Sequence, residues 1–148
     1  MNQISKKTGT FFGLALAIYY IIINAVMFFY DATLFTNTFF GIFNMVVVIL
    51  IGTLCIWITK RKLNHSITFK EGFSAYLIML IIGFLANQLS IYILFNFVNP
   101  EFKAINNQLM LDLALSNLKA LGLSAQEIQE KMSLAESIDN FAPKNLLF

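Results

Sequence analysis

Residues 72–100, GFSAYLIMLIIGFLANQLSIYILFNFVNP, contain no charged side chain. Two further uncharged stretches precede them, at 8–30 and 32–59. A bilayer core about 30 Å thick requires roughly 20 apolar residues at about 1.5 Å of helical rise each, so every one of these stretches is long enough to span it. The sequence therefore predicts an all-α membrane protein with three transmembrane helices, at about 8–30, 38–59 and 72–98.

The composition of the whole chain agrees with this prediction. The 148 residues are 58% hydrophobic and 12% charged, whereas an ordinary soluble domain carries about 25% charged residues. A chain of this length builds one compact helical bundle, so we predict a single membrane domain over residues 1–148. The one cysteine, Cys55, lies inside the second stretch and excludes a disulfide within the chain.

The basic residues predict the orientation in the membrane. They lie before the first stretch and between the second and the third, while the loop at 31–37 has none. Basic residues concentrate on the cytoplasmic side of membrane proteins. We therefore expect a multi-pass protein with a cytoplasmic N-terminus and with residues of about 99–145 outside. The basic residues concerned are Lys6, Lys7, Lys60, Arg61, Lys62 and Lys70.

The chain after the third stretch predicts two external helices. Asn99 followed by Pro100 is a helix start signal, and Gly122 is a stop signal, so one helix is expected at about 100–121. Ser124 with Glu127 forms a capping box that opens a second helix, at about 125–140. Thr68 with Glu71 forms another, at the start of the third span. We expect the two external helices to form an amphipathic hairpin.

The first external helix is apolar over an unusually wide arc, which is typical of a helix buried on more than one side. It either folds back over the ends of the chain's own spans, lies in the lipid interface, or docks another protein. Leu111, Leu115 and Leu118 are the candidate partner-binding residues.

The spans contain amides and small residues. Asn24, Asn44, Asn87 and Gln88 all fall slightly to the outer side of the membrane centre and predict one polar layer. This layer either joins helices by hydrogen bonds or forms a polar site for a small solute or a partner's side chain. Separately, Gly9 and Gly13 begin a face of small residues that allows close helix packing. Its neighbour is the chain's own third span, a second copy or another subunit.

The reactive residue types are sparse. His65 is the only histidine and lies in the link between the second and third spans, where a solvated loop residue is the simplest interpretation. No pair of reactive groups meets the geometric requirements of an active site, and no titratable group accompanies the intramembrane amides. We therefore expect no catalytic activity, no metal site, no cofactor and no nucleic-acid partner.

Three segments carry a resemblance to a known family: ITFKEGF at 67–73, FNFVNPEF at 95–102 and GLSAQE at 122–127. With the order of spans, they make the chain similar to the domain-of-unknown-function family 4199. The resemblance implies a small bacterial inner-membrane protein that finishes with a fourth membrane helix. FAPKNLLF at 141–148 is typical of an approach to such a helix, so we expect a fourth span that these 148 residues do not include. The family implies no activity, and no functional residue is carried over.

These observations predict a non-catalytic accessory or assembly subunit of a larger bacterial inner-membrane complex, whose partners are the lipid bilayer and other membrane protein subunits. The alternative is a small homo-oligomeric channel or facilitator, built through the glycine face, with its polar layer in the outer half of the membrane. The two differ in whether function depends on the external leucines or on Asn87 and Gln88.

Overall fold

Every regular element of the part of the chain that the structure describes is helical. The computed structural model describes residues 2–64, 66–139, 141–142 and 145. His65 and the end of the chain, where we placed a solvated histidine and the approach to a fourth helix, lie largely outside these residues. In chain order the elements are α1 (Gln3–Asp31), a 3₁₀ helix (Ala32–Thr36), α2 (Thr38–Lys62), α3 (Phe69–Ile93), a π-helical turn (Leu94–Val98), α4 (Pro100–Ala120) and α5 (Ala125–Glu136).

Three helical segments of the described residues are long and apolar enough to cross a membrane. The third of them consists of α3 together with its π-helical turn. The predicted all-α membrane fold with three spans is therefore confirmed. α1 and α2 extend beyond their uncharged stretches. α1 begins early because the Ile4 amide donates to Asn2 Oδ1 at 2.9 Å, which caps the helix ahead of the apolar residues.

The helix caps predicted from the sequence are present. At the start of α3 the Thr68 amide donates to Glu71 Oε2 at 3.0 Å, and the Glu71 amide donates to Thr68 Oγ1 at 3.3 Å. Asn99 caps α4 and Ser124 forms the capping box of α5. Gly122 has a φ of +71°, the left-handed conformation that ends a helix.

The third span ends at Val98, the predicted position, and its last turn is π-helical, with the Asn99 amide donating to Leu94 O at 3.2 Å. Pro100 disfavours an α conformation at Asn99, so the helix ends there. α5 ends at Glu136, before the predicted end at about residue 140. The chain turns because the Phe141 amide donates to Asp139 Oδ1 at 3.1 Å.

The chain forms two compact units, which we call unit 1 (Met1–Val26 with Thr38–Ser90) and unit 2 (Met27–Asn37 with Ile91–Phe148). α1 and α3 each contribute residues to both units, so this division does not test the prediction of a single domain.

Unit 1 is a bundle of α1, α2 and α3 around the buried side chains of Leu16, Cys55, Ala75 and Met79. Contacts between α1 and α3 advance in the same direction along both helices, so these helices are parallel. Contacts of α2 run the opposite way, so it is antiparallel to both. The contacts are Gly9 with Ala75, Gly13 with Ile82, Asn24 with Ser90, Tyr19 with Asn44, and Gly52 with Tyr76.

The close approach of α1 to α3 requires glycine. A Cβ at Gly9 would lie 2.5 Å from Ala75 O, and a Cβ at Gly13 would lie 2.9 Å from the Ile82 Cβ. The first of these obstacles is backbone, which cannot move aside as a flexible side chain can. The sequence left three possible neighbours for this glycine face. In the structure the neighbour is the chain's own third span.

Unit 2 has an aromatic core. Phe28, Leu94, Phe95 and Phe141 are buried together. Phe141 stacks on Phe95 with ring centroids 4.2 Å apart and an interplanar angle of 20°. Phe28 meets Phe95 edge to face at 5.3 Å. Stacked and edge-to-face pairs each contribute about 0.5–1.5 kcal/mol beyond the burial of their surface.

We expect Gly9→Ala to lower the free energy of unfolding by about 1–3 kcal/mol, because the new methyl group meets the backbone of Ala75. Gly41→Ala is the matched control: its Cβ would meet nothing within 4 Å, so it should be neutral or stabilising by up to about 1 kcal/mol. Denaturation in mixed micelles measures both. Equal stability of the two variants would contradict the close contact.

Candidate functional site

An amide cluster joins α1 to α3 in unit 1. Asn24 is only 5% exposed, and its Nδ2 donates to Asn87 Oδ1 at 2.9 Å and to Ser90 Oγ at 2.6 Å. The Ser90 hydroxyl donates in turn to Asn87 O at 2.9 Å. Gln88 is connected to the cluster through a long contact of 3.4 Å from Asn87 Nδ2. The Asn24 amide nitrogen therefore has both of its donors occupied within the cluster.

Asn44, the fourth member of the predicted polar layer, has a different partner. Its Oδ1 accepts a hydrogen bond from the Tyr19 hydroxyl at 2.7 Å, and its Nδ2 donates to Phe40 O at 3.0 Å. The predicted layer is thus divided into an α1–α3 contact and an α1–α2 contact. Sequence reasoning missed Tyr19, although a tyrosine within a span needs a partner for its hydroxyl.

A groove of about 390 Å³ lies beside the amide cluster. Asn87 supplies an amide to the lining and Tyr20 is a phenol, whereas the remaining lining residues are apolar. Such a surface can hold an apolar chain. The lining residues are Leu16, Tyr20, Val48, Leu80, Ile81, Phe84, Leu85 and Asn87.

A second polar cluster lies in unit 2, around an ion pair between Lys103 and Asp139. Lys103 Nζ also donates to Asn96 Oδ1 at 3.0 Å, and Asn96 Nδ2 donates to Phe141 O at 3.0 Å. Asn96 belongs to the π-helical turn, an element that is frequent at functional sites. The sequence signal for this cluster was Lys103, the one basic residue between 71 and 118.

The charge of Asp139 is stabilised by its neighbours. Burial by itself raises the pKa of the carboxyl, but the hydrogen bond from Lys103, those from the Phe141 amide and Asn107, and the Lys103 charge together hold the pKa below its ordinary value. At neutral pH the cluster therefore contains a carboxylate paired with an ammonium group. This arrangement fixes the segment after α5, because Asp139 and Phe141 both belong to it.

The candidate partner-binding residues on α4 are half-buried. α4 packs along α5, and Leu111, Leu115 and Leu118 each keep only part of their surface exposed. Three apolar residues on one side of α4 and its C-cap are more exposed: Met110 is 37%, Leu113 is 41% and Leu121, the C-cap, is 74% exposed. We call these three residues the α4 stripe. Leu111, Leu115 and Leu118 remain predicted contacts of a partner protein, but they lie on a different side of α4 from the α4 stripe.

No three side chains of the types that bind metal ions lie together in the part of the chain that the structure describes. Cys55 is buried in the core of unit 1.

These features define a small all-helical protein with three helices that are long and apolar enough to cross a membrane. The chain belongs to the DUF4199 family, described as a protein of unknown function, whose sequence model matches residues 7–148. None of the curated proteins matches it, and none of the solved structures does.

We expect Asn24→Ala and Asn87→Ala to be coupled in a double-mutant cycle by about 0.6–1.7 kcal/mol, the range for interhelical hydrogen bonds in membranes. Asn24→Ala with Asn44→Ala is the control pair. Asn44 bonds to Tyr19 instead, so this coupling should be close to zero. The cycle is measured by unfolding in mixed micelles. Coupling of the control pair as strong as that of the first pair would contradict the division of the polar layer.

We expect the protection of the Phe141 amide from hydrogen exchange to depend on pH through Asp139. A carboxyl with a lowered pKa stabilises the folded state above its ordinary pKa of about 3.9, and this stabilisation is lost as the pH falls through the lower, folded value. After correction for intrinsic exchange, protection should decrease below about pH 4. In Asp139→Asn it should already be reduced at neutral pH.

Glu127→Gln is the control for this experiment, since the pKa of Glu127 is also lowered, by its hydrogen bonds with Ser124. That variant should leave the protection of the Phe141 amide unchanged. An unchanged acid response in Asp139→Asn would show that another group carries it.

Proposed function

We propose that this protein is a non-catalytic accessory or assembly subunit of a larger protein complex in the bacterial inner membrane, with its N-terminus in the cytoplasm and residues of about 99–145 outside. The observation that carries the proposal is the α4 stripe, an apolar surface on a helix that lies beyond the third span.

The position of the α4 stripe favours a protein partner. At about 100° per residue, the α4 stripe and Asn106 together span about 80° around the helix axis, so they lie on the same side of α4. Asn106 is fully buried, whereas Met110, Leu113 and Leu121 are not. One side of the helix is therefore covered near its start and uncovered further along. A protein that contacts α4 there would continue the packing that begins at Asn106 and cover an apolar surface otherwise left exposed.

The amide cluster favours a structural role over a solute pathway. Asn24 uses its Nδ2 on Asn87 and Ser90, and its side chain is almost fully buried. A pathway for polar solutes needs donors and acceptors that face an open lumen. The bonds between α1 and α3 instead satisfy polar groups that lipid cannot satisfy.

The arrangement of unit 1 supports the proposed orientation. α1 and α3 are parallel and α2 is antiparallel, so the start of α1, the end of α2 and the start of α3 share one end of the unit. Asn2 Nδ2 donates to Glu71 Oε1 at 2.8 Å at this end. Six basic residues belong to this end, as expected for a cytoplasmic surface: Lys6, Lys7, Lys60, Arg61, Lys62 and Lys70.

The proposal predicts that the protein co-purifies in a fixed ratio with another membrane protein when extracted from native membranes in mild detergent. Leu113→Gln with Leu121→Gln should remove this partner, because both side chains belong to the α4 stripe. Leu134→Gln is the control: Leu134 is 63% exposed on α5, outside the stripe, and its substitution should leave the partner bound. Native mass spectrometry gives the ratio. Retention of the partner by the double variant would contradict the proposal.

A homo-oligomeric facilitator is the second candidate, because Asn87 reaches the open groove of unit 1. In this case the chain purifies as a homo-oligomer without another protein, and Asn87→Leu reduces solute flux into proteoliposomes. An accessory subunit is expected to keep its partner in the same variant.

A further inference from the structure

We propose that one face of α1 binds an anionic phospholipid, with its phosphate on Lys6 and Lys7 and an acyl chain on Phe11 and Leu14. This site does not depend on the proposed function, because a lipid can bind whether or not a protein partner does.

The site is a shallow groove of about 590 Å³. Its lining residues recur at intervals of three and four, so they lie on one face of the helix. Their order along α1 is polar first and apolar afterwards. The lining residues are Gln3, Lys6, Lys7, Thr10, Phe11 and Leu14.

This order matches the order of groups in a phospholipid. The uncharged stretch of α1 begins at residue 8, so Lys7 lies at the level where headgroups meet hydrocarbon, as basic residues flanking a span do. Leu14 lies seven residues further along α1, or about 10 Å at a rise of about 1.5 Å per residue. Phe11 and Leu14 are 67% and 54% exposed, which leaves both available to an acyl chain.

The charge of unit 1 is complementary to an anion. Its six basic residues are opposed by one acidic residue, Glu71. Glu71 accepts its hydrogen bonds from Asn2 and Thr68, and the one ion pair among the described residues joins Lys103 to Asp139. Lys6 and Lys7 are thus uncompensated, and a lipid phosphate would neutralise them. An acidic peptide in water would supply the charge but would not reach Leu14 inside the hydrocarbon.

The other basic residues at this end provide a matched control. Arg61 lies 4.3 Å from the centroid of the Trp57 ring in a cation–π contact. Lys60 and Lys62 flank it, and neither lines the α1 groove. Substituting these two lysines removes the same charge from the same end of unit 1 as substituting Lys6 and Lys7.

The test titrates the purified full chain, in mild detergent, with phosphatidylglycerol and with phosphatidylcholine, and counts bound lipid by native mass spectrometry. We expect one phosphatidylglycerol to bind in preference to phosphatidylcholine. Lys6→Gln with Lys7→Gln should weaken its binding by about tenfold or more. Lys60→Gln with Lys62→Gln should change it by less than about twofold, and Lys6→Arg with Lys7→Arg should retain it, since the charge remains.

Three results would overturn the proposal. Equal weakening by both glutamine pairs would mean diffuse attraction by the whole basic end. Binding of glycerol 1-phosphate as tight as that of phosphatidylglycerol would mean that Phe11 and Leu14 contribute nothing and that free phosphate is the ligand. Displacement of the lipid by an acidic peptide at similar concentration would assign the face to a protein. Equal elution volumes and melting temperatures of the variants verify that all of them fold.

Discussion

Apolar helices in a bilayer gain little by leaving lipid for one another, because lipid tails are as apolar as their own side chains. Unit 1 therefore depends on contacts that lipid cannot imitate, and the first is the approach of α1 to the backbone of Ala75 at Gly9. Dispersion attraction between closely packed surfaces increases with the number of atoms in contact. The Asn24 to Asn87 bond acts at the other end of the same helix pair and fixes its register.

Unit 2 is held together by different forces. Its core is built largely of aromatic rings, and its ion pair between Lys103 and Asp139 is partly exposed. The π-helical turn links this aromatic core to the ion pair, because it contains both the buried ring of Phe95 and the amide of Asn96. A wider helical turn changes the direction of the side chains that follow. Asn96 is thereby able to contact Lys103 and the carbonyl of Phe141 together.

Features encoded by neighbouring residues were predictable from the sequence, and contacts between distant residues were not. The uncharged stretches predicted the spans, and Thr68 with Glu71 predicted the start of α3, because capping depends on residues three apart. The amides were recognisable as a polar layer, but only the register of three helices determines that Asn24 meets Asn87 whereas Asn44 meets Tyr19. The end of α5 was misjudged because Asp139 contacts Lys103 and Asn107 of α4, and no local pattern specifies contacts between residues so far apart in the sequence.

The position of Phe141 has a consequence for the order in which the protein is made. All residues of unit 1 have been synthesised once the ribosome has passed Ser90, so its helices can associate while translation continues. Phe28 must wait for Phe141, which is 113 residues later in the sequence. At about 5–20 residues per second, that interval lasts roughly 6–23 seconds. During it the ring of Phe28 lacks its last neighbour, so the core of unit 2 is completed later in synthesis than the core of unit 1.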